Sequence, residues 1–239
     1  MKPTDLPPHI SRQYDKELED VRERVLLMGG LLESLLDRTI EVLDSGDREL
    51  AVQVAESDYQ VNAYEVSIDE ECTEILARRQ PAASDLRLVL AISKTITDLE
   101  RIGDELEKIG RILIKQIDAD TPRSRYVGLR TMAARVRDLL HETLDAFTRM
   151  DSHRALELIK EDEKIDEEQD SILRQLITYM MEDPRTITST LDIILAVRAL
   201  ERIGDHAINI CEYVVYLVEG KDIRHITLEQ ARREIEERG

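Results

Sequence analysis

The sequence of 239 residues is poor in aromatic side chains, with seven Tyr, one Phe and no Trp. Gly and Pro are scarce too, at nine and six residues, which is about half of their average combined usage. β-Sandwiches and barrels need turn residues and strand-forming aromatic residues, so the composition argues against both classes. No run of 18 apolar residues occurs, and we therefore expect no membrane-spanning helix.

The sequence also has only two cysteines, and its 33 basic residues are outnumbered by 51 acidic residues. Cys72 and Cys211 are isolated from each other and provide neither a disulfide framework nor a CxxC metal site. The net charge is −18, and so acidic a chain repels phosphate backbones, which argues against nucleic-acid binding. Residues 1–10 lack the apolar core of a signal peptide, which predicts a cytoplasmic protein.

Long Pro-free spans rich in helix-forming residues occupy most of the chain. Apolar residues recur in them at three- and four-residue steps, as from Leu86 to Leu113 and from Ile187 to Val214. Asp47 and Asp151 follow two of the breaks and are predicted N-caps, because a short carboxylate accepts from free N–H groups of a first turn. The pattern predicts six long helices, at residues 18–44, 47–79, 83–117, 124–149, 152–182 and 186–219.

The two halves of the chain repeat each other. The block Leu99–Asp104, LERIGD, recurs identically at Leu200–Asp205. When the segments that precede these blocks in the two halves are aligned, Asp58 matches Asp162. The repeat predicts an all-α fold of two tandem, pseudo-symmetric antiparallel three-helix bundles. The expected divisions are an N-terminal tail at 1–17, a first bundle at 18–118, a linker at 119–123, a second bundle at 124–220 and a charged C-terminal tail at 221–239.

Acidic pairs flank the apolar face in both copies of the repeated block. Glu100 and Asp104 lie one helical turn apart, as do Glu201 and Asp205, and such like charges destabilise a helix without a counterion. Carboxylate and amide oxygens suit hard cations such as Mg²⁺, Mn²⁺, Ca²⁺ or iron. The preceding helix of each half adds further oxygen ligands in one stripe: Asp58, Asn62, Glu65 and Asp69 in the first half, and Asp162, Asp166 and Gln169 in the second.

Three other interpretations of these stripes stay open at this point. Acidic pairs in a highly charged protein are commonly solvated surface, and the protein could be a structural helical protein without metal. A ferritin-like di-iron carboxylate enzyme would also be an acidic helical bundle, but it needs a Glu-x-x-His pair on each of two helices. The nearest match is Asp138-x-x-His141. No Gly-rich phosphate loop occurs, so no direct phosphate-binding residues are predicted.

The repeated LERIGD block, continued by Asp205–Ile210, resembles the PhoU family of phosphate-uptake regulators. The segments Met28–Gly30, Asp58–Glu65 and Gly220–His225 are similar to that family as well. The resemblance implies two pseudo-symmetric three-helix bundles and a protein that is not an enzyme. It also implies a negative regulator of phosphate uptake and of the phosphate-starvation response.

The same resemblance implies partners and cofactors. The expected partners are the ATPase subunit of the phosphate ABC importer and a phosphate-sensing histidine kinase, together with a second copy in a homodimer. The protein would then be cytoplasmic and peripheral at the inner membrane through its partners. The expected cofactors are iron, zinc, magnesium or manganese ions held on carboxylates.

Carried over residue by residue, the family's metal motif falls on Glu100 and Asp104 and on Glu201 and Asp205. The partner helices would contribute four further ligands, Asp58, Asn62, Asp162 and Asp166. Lys108 in the first copy is expected to neutralise part of the first site, so the two sites should differ. His206 points away from the second motif on a helical wheel and is expected at a surface or interface.

Overall fold

Helices account for the regular structure of both halves. The computed structural model describes residues 12–224, 226 and 230. Within them no strand occurs, and the all-α prediction is confirmed. The first half contains α1 (Arg12–Ser45), α2 (Arg48–Ala55), α3 (Asp58–Arg79) and α4 (Ala83–Asp118). The second contains α5 (Val127–Arg149), α6 (Ser152–Leu158), α7 (Asp162–Glu182) and α8 (Ile187–Glu219).

Two of the six predicted helices are interrupted. The predicted helix 47–79 stops at Ala55 and restarts as α3 at Asp58. The Ser57 hydroxyl donates to the Val54 carbonyl oxygen at 2.7 Å, so a side chain provides a hydrogen bond to a carbonyl group in the last turn of α2. The predicted helix 152–182 is interrupted at the matching place by a 3₁₀ turn, Ile159–Glu161. Each break makes an aspartate, Asp58 or Asp162, the first residue of a new helix.

The helix termini agree with the predicted caps. Asp47 Oδ1 accepts from the backbone N–H groups of Glu49 and Leu50 at 2.8 and 3.1 Å, at the start of α2. Asp151 Oδ1 accepts from the Arg154 N–H at 2.9 Å, at the start of α6. Both aspartates therefore satisfy donors that the first helical turn leaves unpaired.

The predicted N-terminal tail is too long, because α1 already begins at Arg12 instead of residue 18. Tyr14 is buried, and its hydroxyl lies 3.3 Å from Asp85 Oδ2 on α4. Arg79 at the end of α3 covers the Tyr14 ring and pairs with Glu17. This packing extends the helix by more than a turn. Most of the predicted C-terminal tail lies outside the described residues.

Each half forms one antiparallel three-helix bundle. The second helix of the bundle is interrupted in both halves and consists of α2 and α3 in the first half and of α6 and α7 in the second. The bundles pack side by side, mainly through α4 against α8 and also through α1 against α5. The pairing of α4 with α8 is antiparallel, since Arg87 Nε donates to the Leu217 carbonyl at 3.3 Å near one end and Gln116 faces Asp192 near the other. The buried apolar side chains of both bundles form a single cluster. None of the described helices is long and apolar enough to cross a membrane.

Candidate metal centres

The first acidic cluster lies where the start of α3 packs against the middle of α4. Glu100 and Asp104 on α4 and Asp58 and Asn62 on α3 are all half-buried. Burial raises the pKa of Glu100 above its ordinary value, and the negative charges of Asp104, Glu65 and Asp58 raise it further. The fold therefore brings the predicted residues of the first half together. Glu65 of the same predicted stripe lies near them, and its own pKa is raised by burial and by the charges of Asp69 and Asp104.

The second cluster lies at the matching place between α7 and α8. Burial raises the pKa of Asp162 to about 6, and the charges of Asp205 and Asp166 contribute to the increase. The pKa of Asp205 is also raised to about 6, by burial and then by Glu201 and Asp166. The pKa of Glu201 is raised by burial and by the two aspartates of α7. All four predicted residues of the second half thus lie within mutual electrostatic range.

Mid-helix glycines allow these helices to approach closely. A Cβ atom on Gly103 of α4 would lie 3.0 Å from Val61 Cγ1 of α3. A Cβ atom on Gly204 of α8 would lie 3.2 Å from Ile165 Cδ1 of α7. Each contact is tighter than ordinary van der Waals packing. The absence of a side chain at Gly103 and Gly204 therefore allows the paired helices to approach closely at the acidic clusters.

The chemistry of the first cluster fits a hard cation. Asp58 Oδ2 accepts from Asn62 Nδ2 at 2.7 Å. The other side-chain oxygens of this pair, Asp58 Oδ1 and Asn62 Oδ1, are buried without a hydrogen-bond partner. Buried oxygens without donors beside several carboxylates are costly unless a positive charge compensates them.

The clusters are not closed coordination shells in the described part of the chain. No group of three His, Cys, Asp or Glu side chains there converges on one point closely enough to hold a metal ion. The carboxylates instead line the seams between α3 and α4 and between α7 and α8. A cation would therefore have to be bound with rotation of side chains toward it.

The expected neutralisation of the first site by Lys108 is wrong. Lys108 Nζ lies 2.9 Å from Glu105 Oε1, and Arg202 Nη1 of α8 lies 3.0 Å from the same oxygen. Glu105 is buried at the contact between the two bundles. Lys108 is thus part of an inter-bundle ion-pair network. The clusters still differ, because Asn62 and Glu65 of the first correspond to Asp166 and Gln169 of the second.

His206 lies at the interface between the bundles, as its helical position predicted. Its Nδ1 is 2.7 Å from Asp98 Oδ1 of α4, and Asn209 Nδ2 donates to that oxygen at 3.0 Å. Asp98 is buried, with 3% of its surface exposed. Sequence reasoning missed Asp98, although an acidic residue directly before Leu99 on the apolar face of α4 was a usable signal.

The nearest match to a ferritin-like motif does not join either cluster. Asp138 and His141 are exposed on α5. Asp138 pairs with Arg137, and His141 Nδ1 lies 2.8 Å from Glu33 Oε1 of α1. These contacts place both residues on a surface ion-pair network.

Comparison with known proteins agrees with this duplicated arrangement of helices. The family model described as the PhoU domain matches residues 25–113 and again residues 129–214. The chain belongs to the PhoU family. The two matched segments coincide with the two bundles, so each bundle is one copy of the family's domain. The resemblance inferred from the LERIGD repeat is thereby confirmed.

Individual members of this family are similar over nearly the whole chain. The chain is 51% identical to the phosphate-specific transport system accessory protein PhoU homolog of Pseudomonas aeruginosa, over 97% of this chain and 96% of that protein. It is 46% identical to the Escherichia coli phosphate-specific transport system accessory protein PhoU, over 95% and 93%. The crystal structure of PhoU from Pseudomonas aeruginosa superposes with a TM-score of 0.84 at 51% identity, covering 87% of this chain and all of that one. The phosphate transport system regulatory protein PhoU from Streptococcus pneumoniae gives 0.80 at 28% identity, covering 88% and 99%.

Proposed function

We propose that this protein is a negative regulator of phosphate uptake and of the phosphate-starvation response. The observation that carries the proposal is end-to-end similarity, at about half identity, to proteins named as accessory to the phosphate-specific transport system. Long helices with broad exposed faces suit a docking protein, and the described residues contain no Glu-x-x-His pair facing the carboxylate clusters. The protein would act by binding partners and not by catalysis.

The proposed partners are the ATPase subunit of the phosphate ABC importer and a phosphate-sensing histidine kinase. A regulator that binds one conformational state of either partner more tightly shifts that partner toward this state. Binding through these partners would hold the protein in the cytoplasm, peripheral to the inner membrane. We further propose a homodimer as the form that binds, which light scattering of the purified protein would measure.

An affinity capture tests the regulatory part of the proposal. Tagged full-length protein is recovered from cells grown in high and low phosphate, and bound proteins are identified by mass spectrometry. The importer ATPase, the sensor kinase or both should be enriched over a tagged unrelated acidic helical protein. Deletion of the gene should raise expression of a phosphate-starvation reporter in high phosphate. Capture of neither partner in either condition, together with an unchanged reporter, would contradict the proposal.

We also propose that the two carboxylate clusters bind iron, zinc, magnesium or manganese. Glu100, Asp104, Asp58 and Asn62 would hold the ion between α3 and α4. Glu201, Asp205, Asp162 and Asp166 would do so between α7 and α8. When bound, such an ion supplies positive charge that compensates the clustered carboxylates. The eight ligand residues would then link α3 to α4 and α7 to α8 through the bound ions.

Elemental analysis of protein purified without chelator tests the metal proposal. The double variant E100A/D104A should lose about half of the bound metal, and a fourfold variant that also carries E201A/D205A should lose nearly all of it. The matched control is D138A/E142A, an acidic pair of the same i, i+4 spacing whose carboxylates pair with Arg137 and Arg154. Equal metal content in all four proteins would instead support a structural helical protein without metal. Oxygen-dependent turnover by iron-loaded protein would favour the ferritin-like alternative.

A further inference from the structure

A groove runs along the contact between the two bundles, on the side where α7 packs against α8. It has a volume of about 760 Å³ and lies between the C-terminal half of α4 and the N-terminal half of α8. Its apolar floor includes Ile112 of α4 and Ala199 of α8, while Leu195 lies along its edge. The groove is an open channel between two long helices.

Basic side chains are concentrated along this groove, although the protein as a whole is strongly acidic. Five lining residues are basic: Lys108, Arg111, Lys115, Arg198 and Arg202. Three lining residues are acidic: Glu105, which pairs with Lys108 and Arg202, and Glu201 and Asp205, which belong to the second carboxylate cluster. Arg111 pairs with Glu107 on α4. Lys115 and Arg198 are exposed and form no ion pair with any described residue. Basic residues therefore outnumber acidic ones in the lining of the groove by five to three, on a chain of net charge −18.

Beyond the basic track of Lys108, Arg111 and Lys115, the groove continues into a second cleft of mixed charge. This cleft of about 360 Å³ shares Lys115 with the groove and is lined by Arg125 and Arg185 as well as by Asp120 and Asp192; Arg185 pairs with Asp183. Its lining includes the buried Gln116, whose side-chain oxygen has no hydrogen-bond partner. Measured along α4 from Glu105 to Ala119, the two clefts together extend about 20 Å at the helical rise per residue. This length corresponds to about four turns of a bound helix.

Exposed leucines adjoin these basic residues. Leu195 is 53% exposed, and Leu191, one turn earlier on α8, is 50% exposed. Ile187 continues the same stripe at a further turn and is also exposed. A row of apolar side chains beside a basic groove provides contacts for apolar residues as well as for carboxylates.

We propose that this groove is the docking site for an acidic amphipathic helix of a partner protein. The helix would place carboxylates against Lys115, Arg198 and their neighbours, and apolar residues against Leu191 and Leu195. This inference rests on the proposed function, since a regulator that acts by docking needs such a surface. It adds the location on this chain and the chemistry of the segment that is recognised.

Charge and shape favour this occupant over two others. A second copy meeting this groove about a two-fold axis would place the basic track against itself, which is electrostatically unfavourable. A small inorganic anion would use the basic side chains but leave Leu191 and Leu195 exposed. An acidic helix satisfies both features at once.

Site-specific photo-crosslinking in growing cells tests the docking site. A benzophenone amino acid replaces Leu195 in the full-length chain, and an equally exposed position far from the groove, Leu27 on α1, serves as the control. The crosslinked peptide is sequenced by mass spectrometry. An adduct at Leu195 but not at Leu27 is expected, to a segment with net negative charge and apolar residues at helical spacing. No adduct at Leu195, an adduct to this chain itself, or a segment without acidic residues would overturn the proposal.

Charge reversal tests the role of the basic residues. A synthetic peptide copy of the crosslinked segment should bind the double variant K115E/R198E at least tenfold more weakly than the wild type. The control R38E/R174E makes the same change of net charge at positions that, like Lys115 and Arg198, are exposed and form no ion pair in the described structure, and it should alter the affinity less than twofold. Equal weakening in both variants, or displacement of the peptide by micromolar inorganic tripolyphosphate, would refute a specific helix-docking groove.

The outcomes separate this inference from the proposed function. If the unmodified protein captures the importer ATPase or the sensor kinase while Leu195 captures nothing, only the groove is wrong. If Leu195 captures an acidic helix of some other protein and neither partner is recovered, the groove stands and the proposed regulatory function fails.

Discussion

Removal of one negative charge from the second carboxylate cluster is expected to stabilise the metal-free protein at neutral pH. The cluster raises the pKa of Asp205 from the ordinary 3.8 to about 6, through burial and the charges of Glu201 and Asp166. The native state therefore holds this proton more tightly than the unfolded chain does. The free energy of unfolding falls as pH rises from about 4 to about 6 and stays at the lower value above pH 6.

The size of the stability change follows from the difference between the pKa of Asp205 in the native state and its pKa in the unfolded chain. Without screening, a carboxyl group that titrates near pH 6 instead of near 3.8 would cost about 3 kcal/mol of stability at pH 7. Although helix packing covers part of the Asp205 side chain, the rest of it is in contact with solvent, so water and salt screen much of the repulsion. We therefore expect Asp205→Asn to raise the free energy of unfolding by about 1 kcal/mol at pH 7 and by almost nothing near pH 4.

Urea unfolding between pH 4 and pH 7, in the presence of a chelator, measures this difference. The control is Asp170→Asn on α7, an exposed aspartate without an ion pair in the described structure, which should change stability by less than about 0.5 kcal/mol. In saturating Mn²⁺ the order should reverse, because a ligand that binds only the native state stabilises the wild type preferentially. A metal-free Asp205→Asn protein less stable than the wild type at pH 7 would refute the reasoning.

Three further substitutions and one chemical modification probe the packing. Gly110→Ala should cost about 2 kcal/mol in urea unfolding, because a Cβ atom there would lie 2.7 Å from a backbone nitrogen of α2, whereas Gly30→Ala, with nothing within 4 Å, should gain about 1 kcal/mol. Asp98→Ala should cost about 3 kcal/mol, since it removes the buried carboxylate that His206, Asn209 and Tyr213 of α8 share; an equally stable variant would contradict the buried network. Cys72 and Cys211 are both buried with the pKa raised to about 12 by burial, so a thiol reagent at pH 8 should modify neither thiol until urea unfolds the chain.

Most of the helical architecture could be predicted from periodicity, but two interruptions could not. The predicted helix 83–117 corresponds to α4 almost residue for residue, because its apolar stripe and terminal breaks are strong local signals. The break before Asp58 contains neither Gly nor Pro. It occurs beside a contact in which the backbone of Ala55 closely approaches Gly110 of α4, and such a contact between distant segments leaves no local pattern.

The residues of the candidate site could be predicted from the sequence, but the ion pairs around them could be predicted only in part. A helical wheel and the repeat place Glu100 with Asp104 and Asp58 with Asn62, and the fold brings both pairs to one seam. Glu105 and Lys108 lie three residues apart on α4, so helical spacing alone brings them together. The second cation on Glu105, Arg202 of α8, depends on the register in which α4 packs against α8, and local sequence patterns do not contain that register.

Because the two copies of the bundle belong to one chain, their carboxylate clusters do not have to be identical. Two identical single bundles, paired as separate chains, would have to present identical ligand sets. Here Glu65 of one copy corresponds to Gln169 of the other, and Asn62 to Asp166, while α4 and α8 remain paired along their length. The two clusters can therefore differ in the number and the charge of their oxygen-bearing side chains, although the helices that carry them repeat within one polypeptide.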